Sequence, residues 1–207
     1  MTEPGFFYPQ KMGHIILQAM QEILGRNGTQ SVLQLASLTS LLDNASSHSM
    51  ERSFSFKTVS SLQGALEQAY GPRGGRGVAL RVGRACFKYG LKEFGSQLGL
   101  TEMAFRLLPL PTKLRVGAKS FANLFNTQTD QIVRLEETEA KIFWNIENCP
   151  LCSGRHDAEP ICHLAVGLLQ ESLYWVSSGK IFNVEETACI ARGDAACTIE
   201  IEKLPIS

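Results

Sequence analysis

Three thiols and one carboxylate in the last third of the chain have the types and spacing of a metal site: Cys162, Glu186, Cys189 and Cys197. Cys and Glu are ordinary zinc ligands, and four of them fill a closed, tetrahedral, structural shell. The elements around them decide whether they can meet. Pro160-Ile-Cys162 opens an apolar run that ends at Ser-Ser-Gly179. Pro suits the first helical position and Gly the stop. On that helix Cys162, Ala165, Val166, Leu169, Leu173 and Val176 share one face. Cys162 sits in its first turn, where the dipole favours a thiolate. Lys180 to Thr187 reads as a strand with Phe182, Val184 and Glu186 on one face. If that face is the inner one, an unpaired carboxylate is carried inward at a cost that a cation would remove. Ala191-Arg-Gly193-Asp194 reads as a hairpin turn. The returning strand, 196–202, puts Cys197, Ile199 and Ile201 inward. A helix start and a β-hairpin can therefore bring four ligands to one point. The same cysteines could also be plain core residues, since a free thiol behaves as a small hydrophobe. A disulfide is disfavoured, because nothing in the sequence suggests an oxidising compartment.

A second motif competes for the same ion. Cys149-Pro-Leu-Cys152 is a Cys-x2-Cys knuckle, which chelates zinc when a second pair is near. Cys149 and Cys152 are thus alternative ligands, with Cys189 and Cys197 as candidates for the second pair. A thioredoxin-like role is weak, because no long helix starts at the pair. Cys86 reads as core. His163 points away from Cys162 by the turn of a helix, and the spacings of His14, His48 and His156 complete no sequence motif.

The run Pro-Ile-Cys162-His-Leu-Ala-Val-Gly-Leu-Leu-Gln, followed by Val-Glu-Glu186-Thr-Ala-Cys189-Ile-Ala-Arg-Gly193-Asp194-Ala-Ala-Cys197, resembles the 4-vinyl reductase domain. The resemblance is strong over about 140–202 and weaker toward the N-terminus. It implies the fold of the vesicle-tethering (TRAPP) subunits, an α/β fold that often dimerises. It also implies kinship with zinc-bearing phenol-sensing input domains of bacterial activators, and with small proteins of bacteriochlorophyll synthesis or hydrocarbon binding. In the sensor branch the residues matching Cys162, Glu186, Cys189 and Cys197 hold zinc. A tryptophan upstream helps hold the ligand there, and Trp144 matches it. Stand-alone relatives carry a knuckle like Cys149/Cys152.

The 207 residues fit one domain, 1–207, with a helical part over 8–127 and a sheet and metal part over 130–203. The formal net charge is zero, so no global field draws nucleic acid or an acidic membrane. No apolar run is long enough to span a bilayer. The start lacks a basic lead and an apolar segment, and six cysteines without a secretory signal point to a reducing cytosol.

Pro9 to Gly25 reads as an amphipathic helix with Met12, Ile15, Ile16, Ala19, Met20 and Ile23 on one face, and a second helix follows near 31–36. Residues 38–56, rich in Ser, read as a surface loop, and 56–70 as helix. Gly71-Pro-Arg-Gly-Gly-Arg-Gly77 reads as a loop without the context of a phosphate site. The next helix carries Arg81, Arg84, Lys88 and Lys92 as a solvated row. Its Gly83, Gly90 and Gly95 suggest close packing against another helix, within the chain or across the interface of a homodimer. Helical segments 101–108 and 111–126 follow; Leu114, Ala118, Phe121 and Phe125 align on the latter. Residues 131–136 and 140–147 read as an antiparallel pair. The expected fold is α+β, an antiparallel sheet of about four strands covered by helices. Phe105, Phe121 and Phe125 over Trp144 would form a pocket for a small apolar or aromatic ligand: a hydrocarbon, a phenol or a tetrapyrrole intermediate. No Ser-His-Asp order or Rossmann pattern is present, and a closed four-ligand shell offers no Lewis-acid position, so the reading leans away from an enzyme. The rival readings are a tetrapyrrole vinyl reductase or accessory protein, and a scaffold subunit.

Overall fold

Two glycines set the shape of the helical half. The computed structural model describes residues 5–42, 49–99 and 103–206. In α1 (Gln10–Leu35) only Gly25 leaves helical geometry, at φ 69° and ψ 173°. In α2 (Phe56–Leu98) only Gly71 does, at φ 72° and ψ 169°. Side-chain-bearing residues avoid that region, so glycine is what allows each helix to bend once and continue. The expected second helix near 31–36 is therefore the rest of α1. The expected 71–77 loop is one bent residue, after which Pro72 restarts the helix where its missing N–H does no harm.

The 38–56 segment holds more structure than its composition suggests. Residues Thr39–Leu42 form a 3-10 turn. Strand β2 (Arg52–Ser55) pairs antiparallel with β1 (Phe7–Pro9). Strands this short show no sustained alternation, so the sequence pattern missed them. Residues 43–48, including His48, lie outside the described residues. Ser55 caps α2, accepting from the Thr58 N–H at 3.0 Å. Helices α3 (Met103–Arg106) and α4 (Leu110–Gln128) follow. The sheet half is β3 (Val133–Glu137), β4 (Lys141–Ile146), α5 (His163–Val176), β5 (Val184–Ala188) and β6 (Cys197–Glu202). The sheet order is β3-β4-β6-β5, antiparallel throughout. The α+β class and its four strands agree with the expectation. Ile142, Trp144 and Ile146, Val184 and Glu186, and Cys197, Ile199 and Ile201 all face inward.

The glycines of α2 pack within the chain. A Cβ on Gly83 would stand 2.0 Å from the Leu164 carbonyl oxygen, and one on Gly167 would stand 2.1 Å from that of Leu80. Helices α2 and α5 thus meet backbone to backbone at two reciprocal points. The close helix packing expected at Gly83 is thus present, but its partner is α5 of the same chain and not a dimer mate. Around Gly90 nothing lies within 4 Å, and the residue borders a cavity. The basic row partly ties down the same pair of helices: Arg84 donates to Gln170 at 2.8 Å, and Lys88 lies 3.9 Å from Glu171.

Gly83→Ala must push α5 away and should lower stability by about 1–3 kcal/mol, as overpacking does, whereas Gly90→Ala should raise it by roughly 0.5–1 kcal/mol; urea unfolding separates them. Glu137 joins α4 to the end of β6. Hydrogen bonds from Arg115 and then Lys203 hold its carboxyl down, from 4.5 to about 2. A lowered folded value means that this contribution is present above pH 4.5 and is lost as pH falls toward 2. Glu137→Gln should therefore flatten the acid limb of stability against pH, read by thermal melts from about pH 6 down to about pH 2.

Candidate functional site

Each donor is turned inward by a local feature. Cys162 is the N-cap of α5, which begins at His163 rather than at Pro160. Its backbone N–H donates to Glu186 Oε2 at 2.6 Å. Strand alternation alone would put Glu186 and Cys189 on opposite faces. A bulge in β5 between Glu186 and Ala188 shifts the register, so both face inward. Gly193, at φ 99°, closes the tight turn that returns the chain to β6. The Cys189 N–H donates to Asp194 Oδ2 at 2.8 Å, and the Ile190 N–H donates to Cys197 Sγ at 3.3 Å. The knuckle Cys149–Cys152 follows β4. Arg155 anchors it by donating its N–H to the Cys152 carbonyl at 3.0 Å and pairing with Glu67 on α2.

The structure brings all six donors together. The donor atoms of Cys162, Glu186, Cys189 and Cys197 lie within 4.8 Å of one another, and so do those of Cys149, Cys152, Cys162 and Cys197. The Sγ atoms of Cys162 and Cys189 are 3.8 Å apart, those of Cys162 and Cys197 3.7 Å, and those of Cys189 and Cys197 3.8 Å. A zinc–sulfur bond of about 2.3 Å gives a tetrahedral edge of roughly 3.8 Å. These three thiols therefore already stand as one face of a thiolate tetrahedron. Cys162, Cys189 and Cys197 are fully buried, and no described cysteine is in a disulfide.

The electrostatics carry the same message. Burial, and then the charge of Cys189, push the Glu186 carboxyl up to about 8. Its Oε1 is buried with no hydrogen-bond partner. Hydrogen bonds from Cys149 and Cys152, then from the other thiols, raise Cys162. Cys152 is lowered by hydrogen bonds, first from Cys149. For Cys189 the raising effect of Cys152 is outweighed by Cys162 and Cys197, leaving it at about 6. So many acids in one buried volume cannot all ionise unaided. A divalent cation would reverse that balance and satisfy Glu186 Oε1, so the donor set fits a metal ion.

Beside this cluster lies an apolar cavity of about 90 Å³. Trp144, Phe121 and Phe125 line it, as do Phe87 and Phe94 of α2. Phe105 is not part of its wall; it packs beside Gly117. A smaller cavity of about 30 Å³ lies behind, and Phe87, Phe121, Trp144 and Leu169 border both. Trp144 meets the Phe125 ring edge-on at 87°. The sequence reading missed a buried polar pair in the wall: Tyr8 donates its hydroxyl to Gln131 Oε1. No periodicity links residues 8 and 131; only the β1–β2 ribbon and the end of α4 bring them together. The knuckle faces both ways. Its Pro150 and Leu151 line the cavity while Cys149 and Cys152 join the sulfur cluster.

Residues 142–203 match the model of the 4-vinyl reductase domain family, in line with the resemblance read from the sequence, and they hold all six donors. Over 113 residues the chain is 26% identical to an uncharacterised protein of Methanocaldococcus jannaschii, covering 54% of this chain. The chain spans 60% of that relative's length. It is similar in fold to an H-NOX protein from S. oneidensis in the Fe(II)NO ligation state, with TM-score 0.58 and 13% identity over 91% of this chain and 97% of that one. It is also similar to the phenol-responsive sensory domain of the transcription activator PoxR with phenol, with TM-score 0.53 and 15% identity over 73% and 77%. These likenesses are to H-NOX proteins and a sensory domain, whereas the resemblance had implied vesicle-tethering subunits. Among the described residues no helix is long and apolar enough to cross a membrane.

An ion held by buried ligands stabilises the fold that assembles them. Reduced, purified protein is expected to retain a divalent metal. Cys189→Ser should lower metal content and Tm together; unchanged Tm on metal removal would speak against a structural ion.

Proposed function

We propose that this chain is a small-molecule-binding module, acting as sensor or carrier, with a structural zinc beneath an apolar ligand cavity. The observation that carries the reading is the shared wall: the knuckle and the start of α5 face the cavity on one side and the six-donor cluster on the other. The match to the 4-vinyl reductase domain family and the likeness to H-NOX proteins and a phenol-responsive sensory domain support it.

The cavity selects the ligand class. At about 90 Å³ it is below the ~150 Å³ apolar cavity that takes benzene. One ring or a short chain enters with small side-chain adjustments, whereas a tetrapyrrole needs far more space. No histidine is among its lining residues. Apolar walls supply burial energy, the Trp144, Phe121 and Phe125 rings offer edge-to-face contacts, and the Tyr8–Gln131 pair offers one hydrogen bond. A phenol has that combination of one ring and one hydroxyl.

Cys162, Glu186, Cys189 and Cys197 would hold the zinc, with Cys149 and Cys152 as alternative ligands. Bound there in a closed shell, zinc would supply a cross-link between the helix start and the hairpin, with no open position for Lewis-acid chemistry. The protein's own residues do the rest. Pro150 and Leu151 form the cavity floor, and Phe87 and Trp144 divide the two cavities. A ligand pressing on the floor acts on a segment that the cluster pins at both ends.

Titration with phenol, toluene and a porphyrin precursor tests this, with Trp175 replaced first so that Trp144 reports alone. Phenol should bind and quench Trp144. Trp144→Ala should weaken binding by about 1–3 kcal/mol. Tyr8→Phe should reduce the preference for phenol over toluene. Absence of binding below about millimolar for all three, or a Trp144→Ala effect on stability alone, overturns the reading.

A further inference from the structure

The cluster holds more donors than one tetrahedral ion takes. Five thiols and a carboxylate fall into two groups of four, and each group closes within 4.8 Å. The groups have two members in common, Cys162 and Cys197. Both are fully buried, and their sulfurs are 3.7 Å apart. The remaining members separate by origin. Cys149 and Cys152 come from the knuckle after β4, while Glu186 and Cys189 come from the bulged end of β5. Two tetrahedra that share an edge need six donors: two bridging, and two terminal for each ion. That is the donor set present.

A single ion leaves part of this set without a purpose. In the Cys162, Glu186, Cys189, Cys197 shell, the knuckle thiols stay buried with Cys149 Sγ 3.4 Å from Cys162 Sγ and Cys152 Sγ 3.4 Å from Cys197 Sγ. In the all-cysteine shell, Glu186 keeps a buried Oε1 with no partner. Both defects vanish only if both shells are filled.

We infer that the cluster is a binuclear centre for two thiophilic divalent cations of the zinc class, bridged by the thiolates of Cys162 and Cys197. One ion is completed by Cys149 and Cys152 and the other by Glu186 and Cys189. This rests on the metal reading above and doubles its stoichiometry. The knuckle is then not an alternative ligand pair but the terminal pair of the second ion. Because Pro150 and Leu151 between those two ligands line the cavity, the second ion is the one nearer the ligand wall.

The test uses the full chain, reduced and metal-free, titrated anaerobically with cadmium-113. Two equivalents per chain are expected by native mass spectrometry. Two cadmium resonances are expected, one from an all-sulfur site and one from a three-sulfur, one-oxygen site. Glu186→Gln should perturb or remove only the three-sulfur, one-oxygen resonance, and Cys149→Ser with Cys152→Ser should remove only the all-sulfur one. In the two-cobalt form the bridging thiolates should couple the spins, so the EPR signal per cobalt should fall when the second equivalent binds. One equivalent, retained by the Cys149→Ser/Cys152→Ser variant, overturns the binuclear centre and leaves the single-ion reading standing. Two equivalents with additive cobalt signals overturn the bridge. Protein that takes up no metal overturns both readings. The wild-type stoichiometry decides even if a variant fails to fold.

Discussion

The enclosure of five thiols and a carboxylate in one buried volume is the constraint on which the form of the C-terminal half depends. The six donors arrive on four pieces of chain: a knuckle, a helix cap, a bulged strand and a returning strand. None of these pieces is long enough to fold alone. Held at one point, they fix the spacing between β4, α5 and the β5–β6 hairpin. The local devices that aim the donors would otherwise only destabilise the chain. A bulge interrupts a strand, Gly193 adopts a positive φ, and Glu186 gives up solvent for one backbone N–H. A cation would offset the cost of ionising so many buried acids, and would thereby link metal binding to the fold.

The second organising contact is the approach of α2 and α5 at Gly83 and Gly167. Backbones this close leave no room for a side chain at Gly83 or Gly167. Phe87 and Phe94 on one helix, and Leu164 and Leu168 on the other, stand around an opening that β4 and α4 complete. Its walls are apolar except at Tyr8 and Gln131, which satisfy each other. A buried polar pair in such a wall favours a ligand that can enter the same hydrogen-bond network.

Cluster and cavity share a wall only one segment thick. Pro150 and Leu151 point one way and the cysteines beside them the other. Any ligand that moves this segment would also displace the donor cluster. A cation held there would stiffen the cavity floor, which would favour a preformed site over one built around its ligand.

The period-two pattern of 182–186 and 197–201 settled which strand residues face inward, because one face of the sheet must be buried and the other wet. The helix run from Cys162 to Gly179 likewise settled that Cys162 stands at a helix start. The inward placement of Cys162, Glu186 and Cys197 was legible for that reason: it follows from local periodicity. The bulge that brings Cys189 to the Glu186 side was not, since it is a register change against β6. The roles of Gly83 and Gly167 were hidden for the same kind of reason. A small residue announces a close approach without saying what approaches, and only the α2–α5 crossing shows that the partner lies in the same chain. Tyr8 and Gln131 are 123 positions apart, and no pattern in either neighbourhood points to the other. The sequence by itself determined the α+β class, the inward faces and the donor types. The tertiary structure alone decided that the knuckle joins the same cluster, that two four-donor shells share Cys162 and Cys197, and that this cluster lies against an apolar cavity, because those facts are distances between elements and local periodicity carries no such distances.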